Sequence, residues 1–208
     1  MNQAHIIPWP RDFKPSHQGS FSSMAVTVRE SIVPRLGFEP RHVPDEAYEL
    51  ILDPAGIELR ALSANGLRHA RTSLAALQAA DNSQLPAGTI QDEPRFAWRG
   101  FMLDCSRHFY PVAEIKRILN RLGRLKFNRF HWHLVDDQGW RLEIPALPKL
   151  TEIGAWRTTP DGKRHGGFYS TRDVTEIVAH AAALLPESYG ADEVPALTAA
   201  VAAMTARH

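Results

Sequence analysis

Two groups of polar residues contain the candidate catalytic and ligand-binding side chains of this sequence. Each group follows a short apolar run. The first is Asp104-Cys105-Ser106-Arg107-His108, and the second runs from His131 to Arg141 around Asp136. Arginine presents a rigid fork of N–H donors that suits two neighbouring hydroxyls, and aspartate presents acceptors. Trp132 and Trp140 offer flat apolar faces of the kind on which sugar rings stack. These residue types fit a polyol ligand.

The elements around these groups predict the start of a parallel α/β unit. Phe101–Leu103 reads as a short strand, and the apolar spacing from Val112 to Leu125 predicts a helix that opens after Pro111. Asn128–Val135 reads as a second strand, followed by a long loop and a helix over Asp173–Ala183. In parallel α/β folds the active site lies at the carboxyl ends of the strands. Both polar groups are therefore expected at that edge.

The first half of the chain has a different pattern of apolar and turn-forming residues. Its first 45 residues read as irregular, with one strand near Met24–Val28. Tyr48–Leu52 and Ile57–Leu62 flank a Pro- and Gly-containing turn and predict a β-hairpin, and Asn65–Ala79 predicts an amphipathic helix. Residues 81–95 read as a linker. We therefore divide the chain into a small α+β domain over 1–96 and a second domain over 97–208.

Bulk composition excludes some classes of partner. The 208 residues carry 24 Lys and Arg against 23 Asp and Glu, a net charge of +1, so neither nucleic acid nor an acidic membrane surface is indicated. The single cysteine rules out an internal disulfide. The first residues lack the pattern of a secretory signal, and no apolar run approaches a membrane span, so a cytoplasmic location is the default expectation. Oligomeric state is not indicated.

Several separated motifs occur together in one order. They are Phe96 to Asp104, Ser106 to Phe109, Lys126 to Asn128, His131 to Trp140, Pro148 to Leu150 and Gly154 to Arg157. Together they closely resemble glycoside hydrolase family 20, the β-N-acetylhexosaminidases. More loosely, Ile7 to Pro10 and the hairpin and helix at 48–79 resemble the small α+β domain that precedes the barrel in this family.

The resemblance implies a fold, an activity and site residues. The fold is a (β/α)8 TIM-type barrel, and the activity is removal of terminal N-acetylglucosamine or N-acetylgalactosamine from β-linked glycans, without a cofactor. Catalysis is substrate-assisted: the substrate's acetamido oxygen attacks the anomeric carbon. Arg107 matches the arginine that binds the 3- and 4-hydroxyls. Asp136 matches an aspartate that hydrogen-bonds an active-site histidine.

The sequence also departs from the family. A full barrel takes roughly 200 to 250 residues, more than follow residue 96. The family's Pro-Gly-His motif, which supplies the histidine expected beside Asp136, does not occur. Asp192-Glu193 matches the catalytic pair, in which the carboxylate of the first residue holds the acetamido N–H and the second is the general acid, but it lies closer to Asp136 than the family places it. An accidental acidic pair before an Ala-rich helix is an equal alternative. We expect a truncated or internally deleted copy with weak or no activity.

Two other functions stay open. One is a non-catalytic remnant or sugar-binding pseudoenzyme. The other is a metal-dependent hydrolase that uses His131 and His133, because a His-x-His pair on a strand ligates zinc in some hydrolases. A single such pair is a weak signal, and the family resemblance gives these histidines structural roles, so no metal site is predicted.

Overall fold

The computed structural model describes residues 8–80 and 84–185. The chain divides into two compact units. The first consists of Met1–Trp98 with Arg124–Lys126, and the second of Arg99–Gly123 with Phe127–His208.

The first unit is a five-stranded sheet with one helix against it. Its elements are β1 (Asp12–Ser22), β2 (Val28–Ile32), β3 (Tyr48–Asp53), β4 (Gly56–Ala61), α1 (Ala64–Ala80) and β5 (Gln84–Asp92). The strand order is β1-β5-β3-β4-β2. The predicted hairpin and helix are present as β3, β4 and α1. The helix buries Leu67, Ala70, Leu74 and Leu77 against the apolar side chains of the sheet.

The linker predicted at 81–95 is wrong over most of its length, since Gln84–Asp92 forms the strand between β1 and β3. Pro86 misled the prediction because proline cannot donate to a ladder. β3 pairs with β5 only from Gly88 onward, so Pro86 has a strand on one side only. Gly88 is needed for a close approach, because a Cβ there would lie 2.5 Å from the Lys14 carbonyl oxygen.

The irregular start predicted for the first 45 residues is wrong in part, because two strands lie within it. β1 occupies Asp12–Ser22 at the edge of the sheet, and its side chains are mostly exposed, so the apolar alternation that marks a half-buried strand is missing. The strand predicted near Met24–Val28 is wrong at its start, where Ser23–Ala25 forms a 3₁₀ turn, and the next strand begins only at Val28.

A buried polar network lies in the core of the first unit. Lys126 Nζ donates to Asp92 Oδ2 at 2.9 Å and to the Tyr48 hydroxyl at 2.8 Å. The Tyr48 hydroxyl in turn donates to Asp92 Oδ2 at 2.8 Å and lies 2.6 Å from Ser73 Oγ. The charges of Lys126 and Asp92 therefore compensate each other inside an apolar core, where burial of either charge alone would be strongly unfavourable.

The second unit pairs two parallel strands with helices. Its elements are β6 (Gly100–Asp104), α2 (Val112–Arg124), β7 (Arg129–His133), β8 (Val135–Asp136), β9 (Gly139–Trp140), α3 (Lys149–Glu152), β10 (Trp156–Thr158), β11 (Arg164–Gly166) and α4 (Thr171–Leu184). Both predicted strands and both predicted helices are present. α4 starts at a capping box, in which the Ser170 and Asp173 side chains each accept from the other's backbone N–H.

β6 and β7 pair in parallel register, with Leu103 opposite Trp132 and Asp104 opposite His133. Leu103 and Phe130 join the apolar core that α2 and α4 complete. Met102 is 53% exposed, and His131 opposite it is also exposed. The long loop predicted after the second strand is wrong in part, because it contains two short hairpins, β8–β9 and β10–β11. Within the described ranges, no helix is both long and apolar enough to cross a membrane.

Candidate functional site

The candidate site begins where β6 and β7 end. Asp104 is the last residue of β6 and lies directly opposite His133, the last residue of β7. In a parallel pair, directly opposite residues point to the same face of the sheet, so both side chains lie on one face at its carboxyl edge. Arg107 follows β6 by a short turn, and Asp136 ends β8. The edge predicted to hold the site therefore does hold both polar groups.

Arg107 links the two aspartates. Its Nη1 lies 2.5 Å from Asp136 Oδ2 and 3.1 Å from Asp104 Oδ2, and its backbone N–H donates to Asp104 Oδ1 at 3.0 Å. The side chain is 49% exposed. Every hydrogen bond and ion pair that the described residues make with this guanidinium uses Nη1. The Nε and Nη2 donors are thus left for solvent or for a ligand.

His133 is the second partner of Asp136. Its Nε2 lies 3.0 Å from Asp136 Oδ2 and 3.1 Å from Arg107 Nη1. One ring nitrogen cannot donate to the carboxylate and accept from the guanidinium at once. The bond to the carboxylate is charge-assisted, so we assign the proton to Nε2 and the hydrogen bond to Asp136.

Both aspartates are held in the charged form. The Asp137 N–H and the hydrogen bond from His133 lower the pKa of Asp136 from its ordinary value, against some desolvation, and the charges of Arg107 and His133 lower it further. For Asp104, desolvation alone would raise the pKa, but the Arg107 N–H and the charges of Arg107 and His133 outweigh it, so the pKa is lowered. At neutral pH the site therefore presents one guanidinium and two carboxylates, which are donors and acceptors suited to hydroxyls.

The turn that carries Arg107 is fixed by two other arginines. Arg141 is fully buried and donates to the backbone carbonyls of Cys105 and Ser106, at 2.9 and 2.8 Å. Arg157 Nη2 donates to the carbonyl of Arg107 itself at 2.6 Å. Sequence reasoning considered His133 only as a metal ligand or a structural residue, and it assigned no role to Asp104, Arg141 or Arg157. The strand register would have flagged Asp104 and His133 as neighbours, but nothing in the local sequence indicates that an arginine is buried.

The remaining predicted site residues fall into two groups. Asp192 and Glu193 lie outside the described residues. His131 and His133 place their rings 5.9 Å apart, edge to face. In the described part of the chain, no group of three or more His, Cys, Asp or Glu side chains could hold a metal ion. The zinc-hydrolase alternative therefore has no third ligand there.

Two tryptophans of this region form hydrogen bonds within the fold. Trp132 Nε1 donates to Cys105 Sγ at 3.1 Å, and its ring packs 4.6 Å from that of Tyr169. Cys105 is fully buried, and burial raises the pKa of its thiol. Trp140 Nε1 donates to the Leu142 carbonyl at 2.5 Å. The Trp132 ring therefore packs inside the fold, whereas the hydrogen bond of Trp140 lies in the plane of its ring and does not occupy the ring faces.

Beside the site, three aromatic side chains and a hairpin form a second cluster. The His108 ring lies 4.9 Å from that of Tyr110 and 4.8 Å from that of His165. Desolvation lowers the pKa of His165, and the charges of His108, Arg157 and Arg141 lower it further. Its Nε2 is buried with no hydrogen-bond partner in the described structure. Desolvation and these charges therefore favour the neutral form of His165.

Comparison with known proteins identifies the family. The model described as "Glycosyl hydrolase family 20, catalytic domain" matches residues 96–206, and "Glycosyl hydrolase family 20, domain 2" matches residues 18–93. The chain is 46% identical over 147 residues to a β-hexosaminidase of Vibrio furnissii, which covers 65% of this chain and 24% of that protein. It is 37% identical over 180 residues to the N,N'-diacetylchitobiase of Vibrio harveyi, covering 78% of this chain and 20% of that protein.

Solved structures agree. A β-N-acetylhexosaminidase crystal structure matches with a TM-score of 0.76 at 33% identity, covering 88% of this chain and 38% of the other. An exo-β-N-acetylglucosaminidase of Vibrio harveyi, solved in complex with N-acetylglucosamine, matches with a TM-score of 0.73 at 31% identity, covering 85% and 34%. The chain thus spans about a quarter or less of these curated relatives and little more than a third of these structures. It belongs to glycosyl hydrolase family 20, and the described residues have that family's α/β architecture.

Proposed function

We propose that this chain carries the sugar-binding part of a β-N-acetylhexosaminidase. In this proposal Arg107 binds two ring hydroxyls of a terminal N-acetylhexosamine, the 3- and 4-hydroxyls by family resemblance. The observation that carries it is the arrangement of Arg107, Asp104, Asp136 and His133 at the carboxyl edge of β6 and β7.

The geometry suits a hydroxyl pair for a physical reason. Nη1 of Arg107 is held by two carboxylates, which orients the planar guanidinium, and its Nε and Nη2 donors have no partner among the described residues. Two adjacent hydroxyl oxygens can each accept from these donors, and their protons can be donated to Asp104 or Asp136. Arginine also loses less entropy per hydrogen bond than lysine in such a site, because its donors are pre-organised.

The catalytic step rests on the family resemblance. The acetamido oxygen of the substrate attacks the anomeric carbon and displaces the aglycone oxygen, which Glu193 protonates while Asp192 holds the acetamido N–H. The stretch matched by the catalytic-domain model includes both residues. In the same proposal β6 and β7 are the first two strands of a (β/α)8 barrel. The parallel register of these strands, with α2 between them in the chain, supports this topology.

Sugar binding without turnover is a second candidate function, and one observation favours it. Asp136 Oδ2, which by resemblance supports the general acid through a histidine, is already engaged by His133 and Arg107. A carboxylate committed to these partners is less available to orient a histidine elsewhere.

Two measurements on the purified chain separate these functions. Hydrolysis of a chromogenic β-N-acetylglucosaminide reports catalysis, and a heteronuclear NMR titration with N-acetylglucosamine reports binding. Turnover that is lost in Glu193→Gln supports the enzyme and assigns the acid. Binding without turnover supports the sugar-binding protein. If neither turnover nor binding occurs, the proposed function is wrong for this chain.

A further inference from the structure

The largest fully buried side chain of the molecule's described part is an arginine. Arg141 has no exposed surface, and no carboxylate of the described residues lies within ion-pair distance of it. An isolated buried charge is costly unless hydrogen bonds compensate for the lost water. Such a residue calls for a physical explanation.

Backbone carbonyls supply the compensation. Nε donates to Cys105 O at 2.9 Å, Nη2 to Ser106 O at 2.8 Å, and Nη1 to Gly167 O at 3.1 Å and to Ala155 O. These four acceptors come from three separate segments of the second unit. One guanidinium therefore ties the turn after β6 to the chain on both sides of the β10–β11 hairpin.

The guanidinium has little room to move. A Cβ placed on Gly139 would lie 2.5 Å from Arg141 Cζ, and the Phe109 ring centroid lies 5.9 Å from the same atom. Its backbone is fixed as well, because its N–H donates to Leu134 O at 3.0 Å and its carbonyl accepts from the Tyr169 N–H at 2.8 Å. The surrounding residues fix the orientation of the Arg141 guanidinium. The positions of the carbonyls that it binds are therefore fixed as well.

Two of those carbonyls belong to the residues directly before Arg107. We propose that Arg141 is a positioning residue, which fixes the Cys105–Ser106 backbone and thereby aims the Arg107 guanidinium at Asp104 and Asp136. Arg157 also contributes to this positioning, because its Nη2 donates a hydrogen bond to the carbonyl of Arg107. The consequence for sugar binding rests on the proposed function, whereas the alignment of Arg107 does not.

Lysine cannot replace this arrangement. Arginine directs five N–H groups outward in one plane, which allows four carbonyls to be met from different directions. Lysine offers three donors from a single atom and cannot reach the same set. Arg141→Lys therefore keeps the charge but releases some of the carbonyls, and the turn before Arg107 becomes free to shift.

The test measures the alignment of Arg107 directly. Carboxyl and imidazole NMR signals of Asp136 and His133 are followed against pH in the wild type, in Arg141→Lys and in Gly139→Ala, well below each melting temperature. Gly139→Ala keeps every polar group but pushes the guanidinium away. We expect the pKa of Asp136 to rise towards its ordinary value in both variants, since the charge of Arg107 is no longer held beside it. Arg117→Gln, which removes an exposed arginine paired with Glu114 on α2, is the control and leaves both titrations unchanged.

A merely structural role gives a different result. Melting temperatures would then fall while Asp136 and His133 titrate as in the wild type, and that outcome overturns the proposal. If Arg141→Lys does not fold, Gly139→Ala and Arg157→Gln, which removes the hydrogen bond to the Arg107 carbonyl, decide the matter by the same titration. In variants that fold, affinity for N-acetylglucosamine should fall about tenfold or more, the loss of one charged hydrogen bond. If the wild type itself does not bind the sugar, only the proposed function fails, because the titration still reports on positioning.

Discussion

Replacing Arg107 by glutamine tests the sugar-binding role with a magnitude that follows from the structure. The guanidinium edge that the described residues leave open holds Nε and Nη2, which are enough donors for two hydroxyls. Hydrogen bonds to charged groups contribute roughly 1.5–3 kcal/mol each. Losing two of them weakens binding by at least about a hundredfold. The expected result is that Arg107→Gln loses measurable binding of N-acetylglucosamine in a calorimetric titration.

The matched control is Arg117→Gln. Arg117 is 59% exposed against 49% for Arg107, and it also pairs with a carboxylate, that of Glu114. Exposed ion pairs contribute little to stability, about 0–1 kcal/mol, so both variants should keep the wild-type circular dichroism spectrum and melt close to the wild type. Wild-type affinity in Arg107→Gln, with the fold intact, would show that Arg107 does not contact the sugar.

Three further predictions concern the stability of the two units. Lys126→Met should destabilise the first unit by about 3–5 kcal/mol, because it leaves the buried carboxylate of Asp92 without its charged partner. Chemical denaturation measures this, and a loss under 1 kcal/mol would contradict the buried pair. The pKa of His165 is lowered from 6.5 in the folded chain, so below about pH 6.5 the unfolded chain binds more protons than the folded chain. The free energy of unfolding therefore falls as the pH drops below about 6.5. Thermal melts of the wild type and His165→Gln between pH 5 and 8 should show this dependence weakened in the variant, and equal slopes would refute it. Gly166→Ala should cost about 2 kcal/mol or more, because a Cβ there would lie 2.0 Å from the Ala155 carbonyl oxygen at a φ of +148°. Gly162→Ala, with a φ of +81° but open space around it, isolates the conformational strain and should cost less; equal losses would show that the close contact is not decisive.

Helices and central strands of this chain were predictable because their patterns arise from burial on one face. The 3.6-residue spacing of Ile115, Leu119 and Leu122 is the buried face of α2. The proximity of Arg107 and Asp136 was likewise predictable, because the carboxyl ends of neighbouring parallel strands meet at one edge. The residue types indicated a polyol ligand, and the order of the separated motifs then indicated one family.

What the sequence did not show depends on contacts between distant segments. β1 is an exposed edge strand without alternation, and β5 contains a proline that only its one-sided pairing accommodates. Arg141 lies in a polar stretch and arginine is almost never fully buried unless paired, so nothing local predicts that four carbonyls enclose it. His133 as the neighbour of Asp104 required the strand register, which the sequence does not state.

A crystal structure of the chain with N-acetylglucosamine tests the central claim most directly. We expect the sugar at the carboxyl edge of β6 and β7, with two adjacent ring hydroxyls about 3 Å from Nε or Nη2 of Arg107. At least one of them should also donate to Asp104 or Asp136. A sugar bound elsewhere, or bound at this edge with its hydroxyls turned away from Arg107, would contradict the assignment of this cluster as the sugar site.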